Sequence, residues 1–580
     1  MAQSAPPVER AARRLSLPRL GGATTPATFL VLLLAFLTVF PLAMILYGSF
    51  VQGGPLARPV VLTLQGYLST YTDLGTYGLF GTTLWLTAVR TALVMALAVF
   101  FAWAVARTDT PLKRVLEPLM WLGFFIPPQS MIFAWIILLA PKTGLINVAL
   151  MNILPFEEPP FSIYSYGGII WVSVLLWASV AFVLMAPAFK RMDRTLEEAA
   201  RICGVTVPKV LLRITLPLLR PAILGATILI FVRLMGSFEI ELFLGTPANI
   251  YVFSTKIYDY LSMYPANHPA AMALSVGVQV LTFGLVLVQW RLVGGREYTV
   301  ITGRGYTASS VRLGPWKYVT LAVMLVYIAV AVLLPLAALV LGSFSKIVGV
   351  YQTELLTLAN YQDTFQNPAV WSSFQNTLLV SVVAATLGMV LYSLISYTSL
   401  RTRFAGRRLL DLFSWIPYAV PGIVLSLGFL WAFVGFLPFG PLLYGSLYLM
   451  IMVSLIRALP LGVRTMNGSL VQISRELEDS AKVHGASWLY TFRRVIVPLV
   501  APAFAAAWIL VFVFVWRELE TFILLYLPKS RLVPITMFEY WQGGRVGNAV
   551  AIGVVAVAVA FACSIIAWRV GIGKESGMGL

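Results

Sequence analysis

Residues 80–106 read FGTTLWLTAVRTALVMALAVFFAWAVA, and residues 374–399 read FQNTLLVSVVAATLGMVLYSLISYTS. A bilayer core about 30 Å thick takes roughly 20 mostly apolar residues to cross as a helix. Each stretch is longer than that, and the only charge in the two is Arg90. Shifted by 294 positions they coincide, with Thr83-Leu84 on Thr377-Leu378. One such stretch predicts a membrane helix, and the coincidence predicts a duplicated chain.

Working outward, four further apolar runs join the first stretch in the N-terminal half, and a fifth lies ahead of it. The expected spans are 27–50, 80–106, 116–140, 166–188, 216–244 and 270–293, then 318–342, 374–399, 410–436, 445–469, 497–527 and 549–568. The chain has 580 residues, 59% apolar and 11% charged, against about a quarter charged in soluble domains. Continuous rather than alternating apolar runs select twelve helices over a barrel. The fold class is therefore an all-α integral membrane protein, two parallel six-helix repeats.

Basic residues fall on one side of these spans, which sets orientation. Arg10, Arg13, Arg14 and Arg19 precede the first span; Arg107, Lys113 and Arg114 follow the second; Lys190, Arg191, Arg194, Arg201, Lys209 and Arg213 follow the fourth. Arg401, Arg403, Arg407, Arg408, Arg475, Lys482, Arg493 and Arg494 continue the pattern in the second half. Both termini are expected in the cytoplasm. The net charge of +18 is accounted for by this bias and by anionic membrane lipid, so nucleic acid is not an expected partner. Cys203 and Cys563 fall in different regions of the fold, which argues against a disulfide.

The 294 offset extends well beyond the opening stretch. Pro41 meets Pro335, Ser49-Phe50 meets Ser343-Phe344, Leu62-Thr63-Leu64 with Tyr67 meets Leu356-Thr357-Leu358 with Tyr361, and Pro127 meets Pro421. Farther on the offset becomes 281: Gly204 meets Gly485, and Pro217 and Pro221 meet Pro498 and Pro502. The 13 extra residues of the first half are expected in 141–161. An even number of spans per copy makes the repeats parallel. The division reads 1–294 and 317–580, joined by a cytoplasmic linker at 295–316.

Between the fourth and fifth spans of each half lies a long loop, about 189–215 and 470–496. The first carries Glu197-Glu198-Ala199-Ala200-Arg201-Ile202-Cys203-Gly204, nine residues, then Ile214-Thr215-Leu216-Pro217. The second carries Glu478-Asp479-Ser480-Ala481-Lys482-Val483-His484-Gly485, nine residues, then Val495-Ile496-Val497-Pro498. Acidic residues suit the first turn of a short helix, small residues allow close approach by another protein, and glycine suits the left-handed turn that ends it.

The pattern Glu-Ala-Ala-x-x-x-Gly, nine residues, Ile-x-Leu-Pro resembles the cytoplasmic signature of binding-protein-dependent ABC importer permeases. The first copy matches in full; the second departs at Asp479-Ser480-Ala481 and at Val495-x-Val497-Pro498. The resemblance implies a type I ABC importer permease fold. It implies coupling to an ATPase through Glu198, Ala199, Ala200 and Gly204 and through Asp479, Ser480, Ala481 and Gly485. It further implies two copies of that ATPase, which bind ATP and Mg, and a periplasmic or lipid-anchored substrate-binding protein. The fused length, Leu244-Gly245-Thr246-Pro247 and Gly303-Arg304-Gly305-Tyr306 are similar to the ferric-iron permeases. Polyamine, thiamine and phosphonate are the alternative cargoes.

No Gly-x-x-x-x-Gly-Lys-Ser/Thr loop occurs, so ATP hydrolysis is expected in a separate subunit and this chain is not expected to be an enzyme or to carry a cofactor. With two histidines, His268 and His484, a zinc-type site is not expected. Charges inside spans cost about 2.5–3.5 kcal/mol each at a helix centre, which singles out Arg90, Arg233, Glu239, Glu241, Arg457, Arg464, Arg517, Glu518 and Glu520. Of these Arg233, Glu239, Glu241, Arg517, Glu518 and Glu520 are candidates for the translocation path. Glu239 and Glu520, related by 281, are expected to face each other and to offer hard oxygen ligands to a metal cargo. The competing reading is that these charges pair with Arg233 and Arg517 and lock helices together. Two other classes remain to be separated: a secondary transporter of six plus six helices, and a polytopic membrane enzyme.

Overall fold

The computed structural model describes residues 24–193, 195–293, 311–346, 349, 356–402 and 404–571. The N-terminal arginines and most of the expected linker, including Gly303-Arg304-Gly305-Tyr306, lie outside them. Among the described residues the chain is helical, with only isolated bridges such as Val51–Leu62 and Ser345–Leu356 in place of strands. Eight helices are long and apolar enough to cross a membrane, or up to twelve if each bent pair is one span.

The helices repeat at the offsets of the sequence. Leu74–Arg107 and Pro368–Arg401 are both 34 residues long. Ahead of each, the end of the first span is tied to the short helix that follows it by one contact made twice, Ser49 Oγ to the Tyr67 hydroxyl and Ser343 Oγ to the Tyr361 hydroxyl, both 2.8 Å. Past the insertion, which forms the helix Leu145–Ile153, the offset of 281 relates Leu216–Met235 to Val497–Trp516. Prolines Pro41, Pro335, Pro217 and Pro498 do not begin these helices afresh. Each follows a five-residue π-turn, for example Ala35–Val39 and Ala329–Leu333. Widening the helix there relieves the clash between the proline ring and the carbonyl one turn back.

The third spans differ from the expectation of continuous helices over 116–140 and 410–436. Lys113–Phe125 and Pro128–Leu139 meet at 96°, and Arg407–Ala419 and Gly422–Phe436 meet at 107°. The cause is Pro127 and Pro421. A residue before proline is pushed out of the helical region, and Ile126 and Val420 are both extended. The fifth spans also end early, at Met235 and Trp516 rather than near 244 and 527. The carboxylates expected inside them therefore stand in the connections that follow.

The two halves interlock through these broken spans. The first span of each packs on the third span of the other, Phe40–Gly48 against Gly422–Leu430 and Leu334–Phe344 against Pro128–Leu139. Small residues permit it: Gly48 lies against Trp431, and its counterpart Gly342 against Ile137. A Cβ at Gly428 would fall 2.5 Å from the Pro41 carbonyl oxygen, which is backbone and cannot turn aside. Gly428→Ala is expected to cost about 1–3 kcal/mol through overpacking. It should lower the thermal melting midpoint of the detergent-solubilised protein, whereas Gly468→Ala, with open space around it, should not. Equal midpoints for both variants would refute this account of the inter-half seam.

Candidate functional site: two anchored loop helices and a charged cavity

The loop after the fourth span folds into the short helix Thr195–Ile202, and its counterpart into Arg475–Val483. Gly204 and Gly485 follow with φ of +81° and +79°, a region closed to most side chains. Each helix is fastened at its base by a buried ion pair. Arg107 Nε lies 3.3 Å from Glu197 Oε2, and Arg401 Nε lies 3.2 Å from Glu478 Oε1. Glu197 also accepts a hydrogen bond from Thr215 (2.5 Å), and Glu478 one from Tyr397 (3.1 Å). The same arginines bind the chain entering the loop, Arg107 at the Asp193 carbonyl and Arg401 at those of Leu470 and Ile473.

The predicted contact residues lie on the other face. Ala199, Gly204, Asp479, Ser480 and Gly485 are exposed, and Glu198, Ala200 and Ala481 half-buried. Beside them stand large apolar side chains open to solvent: Leu196 and Ile202 on one helix, Leu477 and Val483 on the other. These four occupy matching positions in the 281 offset.

The intramembrane charges serve the broken helices. A break leaves backbone groups that water cannot reach in hydrocarbon. Arg457 donates to the carbonyls of Pro417 (3.3 Å) and Val420 (2.8 Å), and Glu520 accepts from the Ile423 N–H (3.3 Å) where the helix restarts. Arg457 in turn lies 3.1 Å from Glu520 and 3.6 Å from Glu518. Between the halves, Arg517 of the second donates to the Phe124 carbonyl of the first (2.5 Å), and Glu239 of the first accepts from the Leu519 N–H of the second (3.3 Å). Arg233 lies among the rings of Trp177, Tyr418 and Phe514, its Cζ 5.8, 5.9 and 5.8 Å from their centroids.

Arg233, Glu239, Arg517, Glu518 and Glu520 line one cavity of about 80 Å³ between the halves. Glu241 is not among them. It pairs with Arg90, both side chains 0% exposed, and also accepts from Ser237 (2.6 Å). The locking pairs are thus Arg90–Glu241 and Arg457 with Glu518 and Glu520, rather than pairs with Arg233 and Arg517. Arg464 lies elsewhere, 3.5 Å from Asp411 and stacked 4.0 Å above Trp415. No cluster of three or more His, Cys, Asp or Glu that could hold a metal is found among the described residues.

Residues 95–293 and 386–570 match the family described as binding-protein-dependent transport system inner membrane component, more than half of the chain. The chain belongs to that family. This permease is 24% identical over 541 residues to the ferric transport system permease protein FbpB of Actinobacillus pleuropneumoniae, covering 92% of this chain and 76% of that one. It is 25% identical over 515 residues to the putative ferric transport system permease protein FbpB 1 of Haemophilus influenzae, covering 87% and 78%. A solved bacterial ABC transporter involved in import of the polysaccharide alginate aligns with 45% of the chain at 17% identity and a TM-score of 0.38. By the family match and these relatives the protein is an ABC importer permease, a transport component of a multi-pass membrane assembly, and the secondary-transporter alternative falls away.

Two features of this permease escaped the sequence reading. Arg107 and Arg401 were visible as a matched pair, and so were Glu197 and Glu478, but at different offsets, so nothing in sequence joined one pair to the other. Arg457 was visible as an intramembrane charge, and Pro417 and Pro421 nearby could have identified it as the cap of a broken helix. Removing one partner of a buried ion pair costs roughly 3–5 kcal/mol. Arg107→Ala is expected to loosen Thr195–Ile202 locally and accelerate tryptic cleavage after Arg201 by more than about tenfold. Cleavage at the wild-type rate would show that the ion pair does not hold the helix.

Proposed function

We propose that this permease imports ferric iron delivered by a periplasmic or lipid-anchored binding protein, using two copies of a separate ATPase that binds ATP and Mg. The chain then works as two halves, 1–294 and 317–580, with the 295–316 linker and both termini in the cytoplasm of a bacterial cell. The reading rests above all on one observation: Ile202 and Val483, 86% and 85% exposed, stand at matching points of two helices anchored from behind by buried ion pairs. Apolar knobs on rigid supports suit the grooves of two identical partner subunits. Glu198, Ala199, Ala200 and Gly204, with Asp479, Ser480, Ala481 and Gly485, form the small, acidic surface around them.

The cargo assignment draws on the two relatives, both ferric transport permeases by name. In this reading the cavity of Arg233, Glu239, Arg517, Glu518 and Glu520 is a closed point of the path. Glu239 and Glu520 supply hard carboxylate oxygens to the passing ion. One Glu239 oxygen, Oε2, is buried without a hydrogen-bond partner among the described residues, which leaves it available. When the ATPases draw the loop helices together, the halves rock about their interlocked third spans and the path opens to the other side.

The test is ATP hydrolysis by the complete transporter in nanodiscs, with its binding protein loaded in turn with ferric iron, a polyamine, thiamine or a phosphonate. Stimulation by the iron-loaded form alone is expected; stimulation by another ligand discards iron and keeps the importer. Ile202→Glu and Val483→Glu should each reduce ATPase association by roughly thirtyfold, the loss typical of a contact worth about 2 kcal/mol. Undiminished association would refute the docking surface. Glu239→Gln should leave association and basal hydrolysis intact while slowing iron uptake into proteoliposomes, and wild-type uptake would remove Glu239 from the path.

A further inference from the structure

A second charged site lies well apart from the central cavity. Arg191, which ends the helix Tyr166–Arg191 of the first half, meets Arg407, Arg408, Asp411 and Arg464 of the second half around a cleft of about 670 Å³. Four guanidinium groups thus face one carboxylate. Asp411 is already engaged with Arg464 at 3.5 Å. Among the described residues Arg191, Arg407 and Arg408 have no ion-pair partner, although like charges gathered without a counter-ion repel. Arg464 is held in place by its stacking on Trp415.

Position identifies the counter-ion. Arg191 ends one span, Arg407 begins another, and Gln472, also at the cleft, ends a third. The cleft is therefore at the depth where helices leave the hydrocarbon, at the end of the molecule that carries the loop helices. Val471 lines it as well and is 71% exposed, an apolar group at the rim of a basic pocket. A soluble anion has no use for that surface, whereas a lipid brings an acyl chain beside its phosphate. Guanidinium forks match phosphate oxygens in pairs, and basic pockets between membrane helices suit anionic headgroups.

We infer that this cleft binds the phosphodiester headgroup of an anionic phospholipid, with Arg191 of one half and Arg407, Arg408 and Arg464 of the other sharing its oxygens. The bound lipid then ties the halves together at the loop-helix end, so its release is coupled to their separation. The site does not depend on which cargo the path carries or on how the ATPase docks.

The test uses the full-length permease, delipidated in detergent and titrated with cardiolipin, phosphatidylglycerol, phosphatidylcholine or inorganic phosphate, with bound lipid counted by native mass spectrometry. Cardiolipin and phosphatidylglycerol are expected to bind and phosphatidylcholine is not. Arg408→Gln should weaken binding about fivefold, and Arg191→Gln with Arg407→Gln and Arg408→Gln progressively more. Arg408→Lys, which keeps the charge and guards against a folding defect, should retain most of it. Equal binding of phosphatidylcholine, or undiminished binding by the triple variant with a wild-type melting profile, overturns the proposal. Displacement of the lipid by inorganic phosphate at equal concentration also overturns it, in favour of a soluble-anion site.

Discussion

A helix that breaks inside a membrane must find new partners for the backbone groups it frees, because hydrocarbon supplies none. Here the two third spans break most sharply, at Pro127 and Pro421, by 96° and 107°. Arg457, Glu520 and Arg517 stand where freed carbonyl and N–H groups need them. Those side chains carry charge into a region that penalises it, so each acquires a partner of its own. Arg457 is compensated by Glu518 and Glu520, and Arg517 stacks over Phe124 at 5.1 Å. The breaks thereby gather the charges of both halves at one place, and the central cavity is the result.

The same breaks shape the seam. A bent third span offers the other half a short, oblique surface, against which the first span packs through Gly48, Gly342 and Gly428. Motion of the halves has to pass through this interlock. The proposed coupling would act on it through the loop helices, since Arg107 and Arg401 end the long second spans and grip the loops directly. The helix that carries the exposed Ile202 is joined by a buried ion pair to a 34-residue helix. The arginine cleft touches this machinery from the lipid side, where it joins residues of both halves.

Much of this was legible early. The offset of 294 placed Ser49 with Ser343 and Tyr67 with Tyr361, and the structure makes the same hydrogen bond twice. The offset of 281 placed Glu239 with Glu520, and both line one cavity. The reading stumbled where neighbours in space are far apart in sequence. Glu241 looked equivalent to the other acidic residues, but its position places it against Arg90, 151 residues earlier. The prolines were visible as repeated positions without being read as breaks. A proline inside an apolar run is compatible with a kink, a π-turn or a restart, and this chain uses more than one of these.

Apolar run length, basic-residue bias and the doubled loop motif determined from sequence alone that the chain crosses a membrane, that it is duplicated, and that it belongs with importer permeases. These features are local or periodic, and hydrophobic burial and helix geometry act on them over one span at a time. Tertiary structure decided which charges meet, which helices bend, and which faces of the loop helices stay open. Those outcomes depend on satisfying backbone groups and buried charges across several spans at once, and no single stretch of sequence contains that balance.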